Sequence, residues 1–167
     1  MRSSQKSKKT ARLRVRPARA TDLEALIELE QRVFATDRLS RESLRRLLAS
    51  KSALVIVAEM IVAESRSRLA GAAVVLFRKH AAVARLYSIA VAPPMSGKGV
   101  AVALLTAAER AAKRRKCRCM RLEVHQSNAA AIARYRKSGY QQFGRHRSYY
   151  EDGGDALRFE KALVEWI

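Results

Sequence analysis

The sequence predicts one domain of the mixed α/β (α+β) class, and three observations support this. Stretches with the two-residue alternation of strands and stretches with the 3.6-residue spacing of helices follow one another along the chain. The 167 residues are enough to bury one sizeable core. Apolar residues make up 49% of the chain and charged residues 29%, which is typical of globular proteins. We expect about six to seven strands and about four helices.

The first residues, 1–11, contain Ser, Gln and Lys and almost no apolar side chain. Such a segment buries too little surface to offset its loss of conformational entropy on ordering. We therefore expect a disordered basic tail at 1–11 and a single domain over 12–167.

A strand and two helices are predicted next. Residues 12–16 alternate apolar side chains with arginines, as a half-buried strand does. Thr21 and Glu24 have the spacing of a capping box, so a helix should begin at Thr21. Ser40 is expected to cap a second helix, because an apolar stripe of helical spacing follows it.

Three strands and a long helix are predicted in the middle of the chain. The strands cover residues 53–59, 69–77 and 83–91. A charged, Ser-rich turn at 64–68 separates the first two. The third is apolar on both faces, which favours a central position in the sheet. Pro93 and Pro94 end it, and a helix with a basic last turn follows at 99–115.

The last part of the sequence predicts a strand, a helix and a closing pair of strands. Residues 120–124 form the short strand, and Asn128 caps a helix that stops at Gly139. The closing strands, 141–149 and 156–163, are joined by Asp152-Gly153-Gly154, which is a hairpin-type turn signal.

The formal net charge is +19, and the first 19 residues contain eight Lys and Arg and no acid. A field this positive attracts polyanions, so nucleic acid, a ribosome surface or a phosphorylated cofactor are candidate partners. The alternative is a solvated tail and a solubilising surface. Charge alone therefore leaves the chemistry open.

Several classes of protein are disfavoured by composition. No apolar run approaches the roughly 18 residues of a membrane-spanning helix, and no apolar segment follows the basic N-terminus as in a signal peptide. We expect a cytoplasmic protein without membrane association. Cys117 and Cys119 are one residue apart, which suits neither a zinc site nor a disulfide, so we expect reduced thiols and no metal.

The loop Ser96-Gly97-Lys98-Gly99-Val100-Ala101 joins the predicted central strand to the long helix. Glycines permit close backbone approach, and free amides at a helix start, aided by the helix dipole, hold a pyrophosphate. Lys98 adds a positive charge there. The alternative is an ordinary strand-to-helix turn, because Gly-x-Gly alone is a weak signal.

Over residues 12–163 the order of elements, together with this loop, resembles the GNAT superfamily of N-acetyltransferases. The family's phosphate loop reads Arg or Gln, two residues, Gly, one residue, Gly or Ala; Gly99 and Ala101 match it and Ser96 departs from it. The resemblance implies a mostly antiparallel sheet that is splayed between its fourth and fifth strands, and acetyl-CoA as cofactor. It implies cofactor contacts from Ile89, Ala90, Val91, Gly97, Lys98, Gly99, Val100, Ala101, Val102 and Asn128.

A second block runs from Leu122-Glu123-Val124-His125 through Asn128 and Tyr135 to Gly139-Tyr140 and resembles the RimI-like branch. That branch acetylates the N-terminal amine of ribosomal proteins. The resemblance implies Glu123 as general base and Tyr135 as general acid.

Elementary chemistry fits both roles. An α-amine, with a pKa of about 8, can lose its proton through water to a carboxylate, and a tyrosine hydroxyl can protonate a departing thiolate. We predict direct attack on the thioester, with the Val91 amide polarising its carbonyl. The alternatives are a solvent-facing strand residue for Glu123 and a core aromatic for Tyr135. His125 has no nearby acid in sequence and is expected to be a structural or surface residue.

The predicted function is an acetyl-CoA-dependent N-acetyltransferase that acts on an amine, such as a protein N-terminus. The loop at 34–40 lacks the Pro-Trp pair often found in RimI-like proteins, so a polyamine or aminoglycoside acceptor stays open. A rival of another class is a catalytically weak ribosome- or RNA-binding protein on the same fold. Only 6% of residues are aromatic, which disfavours that rival. The oligomeric state is left open.

Overall fold

The computed structural model describes residues 11–164, which form a seven-stranded sheet with helices on both faces. The strands are β1 (Arg12–Pro17), β2 (Ala53–Ala63), β3 (Arg66–Phe77), β4 (Val83–Val91), β5 (Cys119–His125), β6 (Gln141–His146) and β7 (Ala156–Ala162). The helices are α1 (Leu23–Val33), α2 (Arg41–Ala49), α3 (Val100–Arg114) and α4 (Ala129–Lys137). Of the predicted basic tail at 1–11, all but Ala11 lies outside the described residues.

The sheet has the strand order β1-β2-β3-β4-β5-β7-β6, and every neighbouring pair is antiparallel except β4 and β5. The parallel pair is short, because residues 83–86 meet residues 119–122 and the two strands then separate. Beyond that point β4 remains paired only with β3, and β5 only with β7. The mostly antiparallel sheet, splayed between its fourth and fifth strands, is confirmed.

A β-bulge at Tyr87 shapes the separated half of β4. Val74 is paired with Ser88 and Val75 with Leu86, so Tyr87 has no partner of its own on β3. The extra residue reverses which side chains face each side of the sheet. The prediction that this strand is apolar on both faces is wrong at Tyr87, which is 44% exposed because the bulge expels it from the ladder.

Two apolar clusters hold the helices to the sheet. The larger lies under α3 and α4 and contains the fully buried Leu104, Met120 and Phe159. The smaller lies under α1 and α2 and includes Leu26 and Leu44. Burying side chains of this size contributes roughly 1.5–3 kcal/mol each, so the apolar stripes of the helices fix their positions.

Gly71 in β3 lets α3 approach the sheet closely. A Cβ atom at this position would lie 2.6 Å from the Ala90 carbonyl oxygen and 2.9 Å from Val100 Cγ1. Since real Cβ atoms do not approach backbone oxygens so closely, only glycine allows this contact. Gly71 therefore sets the height of the α3 N-terminus beside β4.

The predicted cap of the second helix is confirmed, whereas that of the first is wrong. The Ser40 hydroxyl accepts a hydrogen bond of 3.1 Å from the Ser43 amide at the start of α2. The Thr21–Glu24 capping box does not form, because a 3₁₀ turn precedes α1 and the Asp22 carboxylate binds the Arg19 amide at 2.6 Å. Glu24 instead pairs with a residue of α2, Arg41.

Two predicted turns differ from the structure. The turn at 64–68 shortens to residues 64–65, because the following residues continue the antiparallel ladder with β2. At the other end, β6 stops at His146 and a loop at 147–155 replaces the predicted tight hairpin. Asp155 closes that loop, since its carboxylate accepts from the Ser148 amide at 3.0 Å and from Arg145 at 2.9 Å.

Candidate functional site

The wedge between β4 and β5 opens into a cavity of about 870 Å³. The second half of β4, the start of α3, the end of β5 and part of α4 bound it, and two loops lie across its far side. Ten of the predicted site residues line it: Ile89, Val91, Gly97, Gly99, Val100, Ala101, Val102, Glu123, Asn128 and Tyr135.

Two predicted cofactor residues, Ala90 and Lys98, are absent from the lining. Ala90 is 2% exposed and packs with α1 and α2, because the bulge at Tyr87 turns it to the opposite face. The Lys98 amide donates to the Met95 carbonyl at 3.4 Å, which closes the turn before α3 and occupies that donor.

The start of α3 presents unpaired backbone donors to the cavity. The amides of Val100, Ala101 and Val102 form no hydrogen bond within residues 11–164, as expected of a helix N-terminus. Gly97 and Gly99 have φ angles of +76° and +77°, which side chains other than glycine rarely tolerate. Because no atom lies within 4 Å of a Cβ built on either glycine, the space above the loop is open.

The free side of β4 faces the same cavity. The Ala92 amide donates to the Ala70 carbonyl at 2.8 Å, so alternation along an antiparallel ladder turns the amides of Ile89 and Val91 away from β3. They point into the wedge, where β5 has already diverged. A bound extended chain can pair with this edge as an added strand does.

Glu123 lies on β5 at the point where the wedge opens. Its carboxylate accepts a hydrogen bond of 3.1 Å from Arg85 Nε on β4, and Arg158 Nε lies 3.9 Å from its other oxygen. The Glu123 side chain is 12% exposed. A carboxylate held in this way has a fixed orientation and keeps capacity to accept a further hydrogen bond.

Tyr135 reaches the cavity from α4. The residue is 4% exposed and contacts Tyr140 edge to face, with ring centroids 5.8 Å apart. Its hydroxyl has no hydrogen-bond partner within the part of the chain that the structure describes. Burial raises the pKa of Tyr135 to about 12, so its hydroxyl stays protonated at neutral pH and can act as a donor.

Asn128 and His125 have structural partners of their own. The Asn128 side chain caps α4 by accepting from the Ala131 amide at 3.2 Å, as predicted. His125 has an acidic partner that its sequence neighbours do not reveal, because Asp152 Oδ2 lies 2.8 Å from His125 Nε2. The pair orders the loop after β6, since Gly154 packs directly against the imidazole.

Two loops meet at the far side of the cavity. Buried Glu30 near the end of α1 accepts from the amide of Leu39, in the loop before α2, at 2.9 Å, and burial raises the pKa of that carboxyl. Asp37 in the same loop accepts from the Glu151 amide at 3.4 Å, which links it to the loop after β6. We call this end, lined also by Tyr149 and Tyr150, the candidate acceptor end.

Three residues of this region are not indicated by the sequence alone. Arg85 joins Glu123 to Tyr149, whose hydroxyl it binds at 2.6 Å. Arg134 lines the cavity and has no ion pair within residues 11–164. Gly71 sets the height of α3. Arg85 is 38 positions from Glu123, so only the strand register shows that they meet.

The cavity fits acetyl-CoA by the chemistry of its donors. Three free amides at a helix start and an unpaired arginine suit phosphate oxygens, and the free edge of β4 suits an extended arm with amide groups.

Within the described ranges, no three His, Cys, Asp or Glu side chains cluster as metal ligands. None of the described helices is long and apolar enough to cross a membrane.

Comparison with known proteins agrees with this geometry. Residues 23–140 match the model of the acetyltransferase (GNAT) family. The chain is 28% identical over 153 residues to a Bacillus subtilis (strain 168) protein provisionally assigned as a ribosomal protein bS18-alanine N-acetyltransferase, covering 92% of this chain and 93% of that one.

Solved structures give the same result. The ribosomal-protein-S18-alanine N-acetyltransferase from Escherichia coli superposes with a TM-score of 0.79 at 26% identity, over 93% of this chain and 97% of that chain. Nourseothricin acetyltransferase superposes with a TM-score of 0.73 at 25% identity, over 91% of this chain and 99% of that chain.

The fold and the cleft thus define an acyltransferase of the kind that takes its acetyl group from acetyl-CoA. The chain belongs to the GNAT family. Within the family, the chain is similar to ribosomal-protein alanine N-acetyltransferases, which supports the RimI-like branch.

Proposed function

We propose that this protein acetylates the N-terminal α-amine of a protein, with Glu123 as general base and Tyr135 as general acid. The observation that carries the proposal is that both side chains line the cavity onto which the α3 amides and the free edge of β4 open. The similarity to two proteins named for acetylating ribosomal-protein alanine supports this acceptor.

The cofactor would be held at one end of the cavity. The amides of Val100, Ala101 and Val102 bind phosphate oxygens, and Arg134 adds charge to them. The backbone of Ile89 and Val91 pairs with the extended arm. When bound, acetyl-CoA supplies the acetyl group as a thioester, and the Val91 amide donates a hydrogen bond to its carbonyl oxygen.

The protons move at two side chains. An ammonium has no lone pair for attack, so Glu123 accepts a proton from the acceptor amine through a water molecule. Arg85 keeps the carboxylate at the mouth of the wedge during this step. Tyr135 donates its hydroxyl proton to the departing sulfur, because burial keeps that hydroxyl protonated.

The setting follows from the acceptor. Ribosomal proteins are made in the cytoplasm, so we place the protein there. A chain of net charge +19 would repel free basic proteins yet associate with an anionic ribosome that displays them.

A second candidate is acetylation of a small cationic molecule. The similarity to nourseothricin acetyltransferase supports it, and so does the carboxylate of Asp37 in the lining of the acceptor end. An acidic group there attracts any cation, whether it belongs to a peptide or to an aminoglycoside.

One assay separates the two candidates. Purified protein is incubated with acetyl-CoA and with peptides, polyamines or aminoglycosides, and free thiol is measured. Turnover on peptides with a free N-terminus, lost when that N-terminus is blocked, supports the proposal. Turnover on the small amines alone would replace it with the second candidate.

The role of Glu123 is tested by Glu123→Gln. Loss of the base should lower kcat about 100-fold or more, while calorimetry with CoA gives an affinity close to wild type. The matched control is Glu160→Gln, since Glu160 also pairs with an arginine, Arg121 at 3.0 Å, but lies outside the cavity. Equal rates for the two variants would remove Glu123 from the mechanism.

A further inference from the structure

A second concave site lies at the end of the sheet opposite the cleft. It has a volume of about 560 Å³ and is built by three connections, which lie before β2, between β3 and β4, and after α3. Since β4 rises about 3.3 Å per residue, its two ends are roughly 25 Å apart. We call this site the basic pocket, for the residues Lys51, Arg78, Lys79, His80, Arg115 and Lys116.

The charge of the basic pocket is entirely of one sign. Among the residues that the structure describes, its lining includes five Lys and Arg side chains and a histidine and no Asp or Glu. None of these five cations has an ion pair within residues 11–164, whereas most arginines on the sheet faces are paired with carboxylates. Like charges gathered without counterions repel one another, so such a cluster is stabilised when an anion binds.

One cation of the basic pocket is fixed before any ligand arrives. The Arg115 guanidinium lies 4.0 Å from the centroid of the Phe77 ring and donates to the Lys51 carbonyl at 2.9 Å. Phe77 is 8% exposed, so the ring forms a rigid floor under the guanidinium. A stacked arginine keeps free donors for a phosphate and loses little entropy on binding one.

The composition of the basic pocket favours phosphodiesters over other anions. Arg, Lys and His donors without an exposed aromatic surface suit the backbone of a nucleic acid, not its bases. The pocket lies at the C-terminal end of α3, where the helix dipole disfavours anions, so binding depends on the side chains. Exposed Lys113 and Arg114 extend the positive surface along the chain beside it.

We propose that the basic pocket is a nucleic-acid site that grips the phosphate backbone without reading sequence. Nucleic-acid binding at the basic pocket is a function separate from acetyl transfer, because the pocket and the cleft are at opposite ends of β4 and share no lining residue. RNA binding through the pocket would bring the acyl-transfer cleft to an RNA-rich particle.

The test measures salt-dependent binding of a fluorescein-labelled 16-nucleotide single-stranded RNA by anisotropy. Neutralising two cations in Lys79→Ala/Lys116→Ala should reduce the slope of log K against log salt by about 1.4, at roughly 0.7 per phosphate contact. At 0.1 M KCl this corresponds to about 10- to 25-fold weaker binding. A single-stranded DNA of the same sequence should show the same slope as the RNA.

The matched control is Arg66→Ala/Arg68→Ala, which removes the same charge from exposed positions at the start of β3. If both variants weakened RNA binding equally, only net charge would matter, and the basic pocket would not be the RNA-binding site. Displacement of RNA by poly-glutamate at equal charge would overturn the nucleic-acid assignment in favour of an acidic protein. Saturating CoA should leave RNA binding unchanged, and the variants should retain thermal stability and thiol release, so the result is independent of the proposed acyl transfer.

Discussion

At the mouth of the wedge, Glu123 is held by a guanidinium that belongs to the neighbouring strand. Arg85 bridges Glu123 and the Tyr149 hydroxyl. One guanidinium on β4 therefore links the carboxylate on β5 to the loop after β6. An unpaired carboxylate on a strand would rotate freely in solvent. The contact with Arg85 therefore fixes the orientation of the carboxylate that we propose as the general base.

The hydroxyl of Tyr135 is the other group on which the proposed mechanism depends. Tyr135→Phe removes the donor without a change of shape, so kcat should fall about 100-fold while CoA affinity is kept. Because the pKa of Tyr135 is about 12, its deprotonation should not lower kcat of the wild-type enzyme between pH 7 and pH 10. Steady-state kinetics across that range measure both effects.

The control for this change is Tyr140→Phe. Its hydroxyl donates to Glu109 at 2.9 Å and faces away from the cavity, so the variant should lose some stability but keep its rate. A Tyr135→Phe enzyme as fast as Tyr140→Phe would exclude the tyrosine from proton transfer.

At the scale of elements, a bulge in β4 and a glycine in β3 shape the end of the cavity at which we propose that the cofactor binds. The bulge at Tyr87 turns Ile89 and Val91 toward the larger core and the wedge, and Gly71 brings the start of α3 beside them. Without the bulge the alternation would direct Ala90 there instead. The amides of α3 and the free edge of β4 therefore open onto one cavity, because β4 has an extra residue at Tyr87 and β3 has no side chain at Gly71.

The close approach at Gly71 is tested by Gly71→Ala. The added methyl meets the Ala90 carbonyl oxygen, so α3 or β4 must shift; we expect about 1–3 kcal/mol lower stability and a raised KM for acetyl-CoA. Chemical denaturation and kinetics give the two quantities.

Gly144→Ala on β6 is the matched control. A Cβ there meets only Arg158 side-chain atoms, at 3.7 and 3.9 Å, which is ordinary contact. Stability should change by less than about 1 kcal/mol and KM should not change. If Gly71→Ala behaved in the same way, the spacing of α3 would not govern cofactor binding.

At the scale of the whole molecule, residues 11–164 have paired charges on some faces and no ion pairs on others. At the β1 edge, Arg16 binds Asp22 at 2.8 Å and Glu59 at 2.6 Å, which ties the N-terminal strand to its neighbours. At the end of β4 that is opposite the cleft, the described residues that line the basic pocket include no carboxylate. The position of the charged side chains, more than the net charge of +19, distinguishes charges that stabilise the fold from charges that are available to a partner.

The β1 network predicts a pH dependence of stability. Hydrogen bonds from Arg16 lower the pKa of Asp22 and the pKa of Glu59, so their contribution is present above the unfolded pKa of about 4 and is lost as the pH falls through the lowered values. Arg16→Gln should lose about 2 kcal/mol at pH 7, and this difference from wild type should shrink below about pH 4.

Denaturation at pH 7, 5 and 3.5 measures the effect of Arg16→Gln. Arg14→Gln is the control, because Arg14 binds Glu59 at 2.7 Å from a half-exposed position and should contribute less than about 1 kcal/mol. A difference that stayed constant with pH would assign the effect to packing, not to ionisation.

Much of this architecture could be predicted from the sequence. Periodicity indicated all seven strands and four helices, and β4 was predicted with its observed bounds. Errors in the bounds of elements were confined to their ends, such as the missing capping box at Thr21 and the long loop at 147–155, where side-chain contacts decide the outcome. The candidate residues Glu123 and Tyr135 came from a motif that is local in the chain.

The sequence by itself determined the class of fold, the order of its elements and the excess of positive charge. These depend on spacing between neighbours in the chain. Only the tertiary structure decided that Arg85 meets Glu123, that Ala90 faces away from the cleft and that three distant connections gather their cations in one pocket. Strand register and a single bulge control those contacts, and a shift of one residue reverses every side chain that follows.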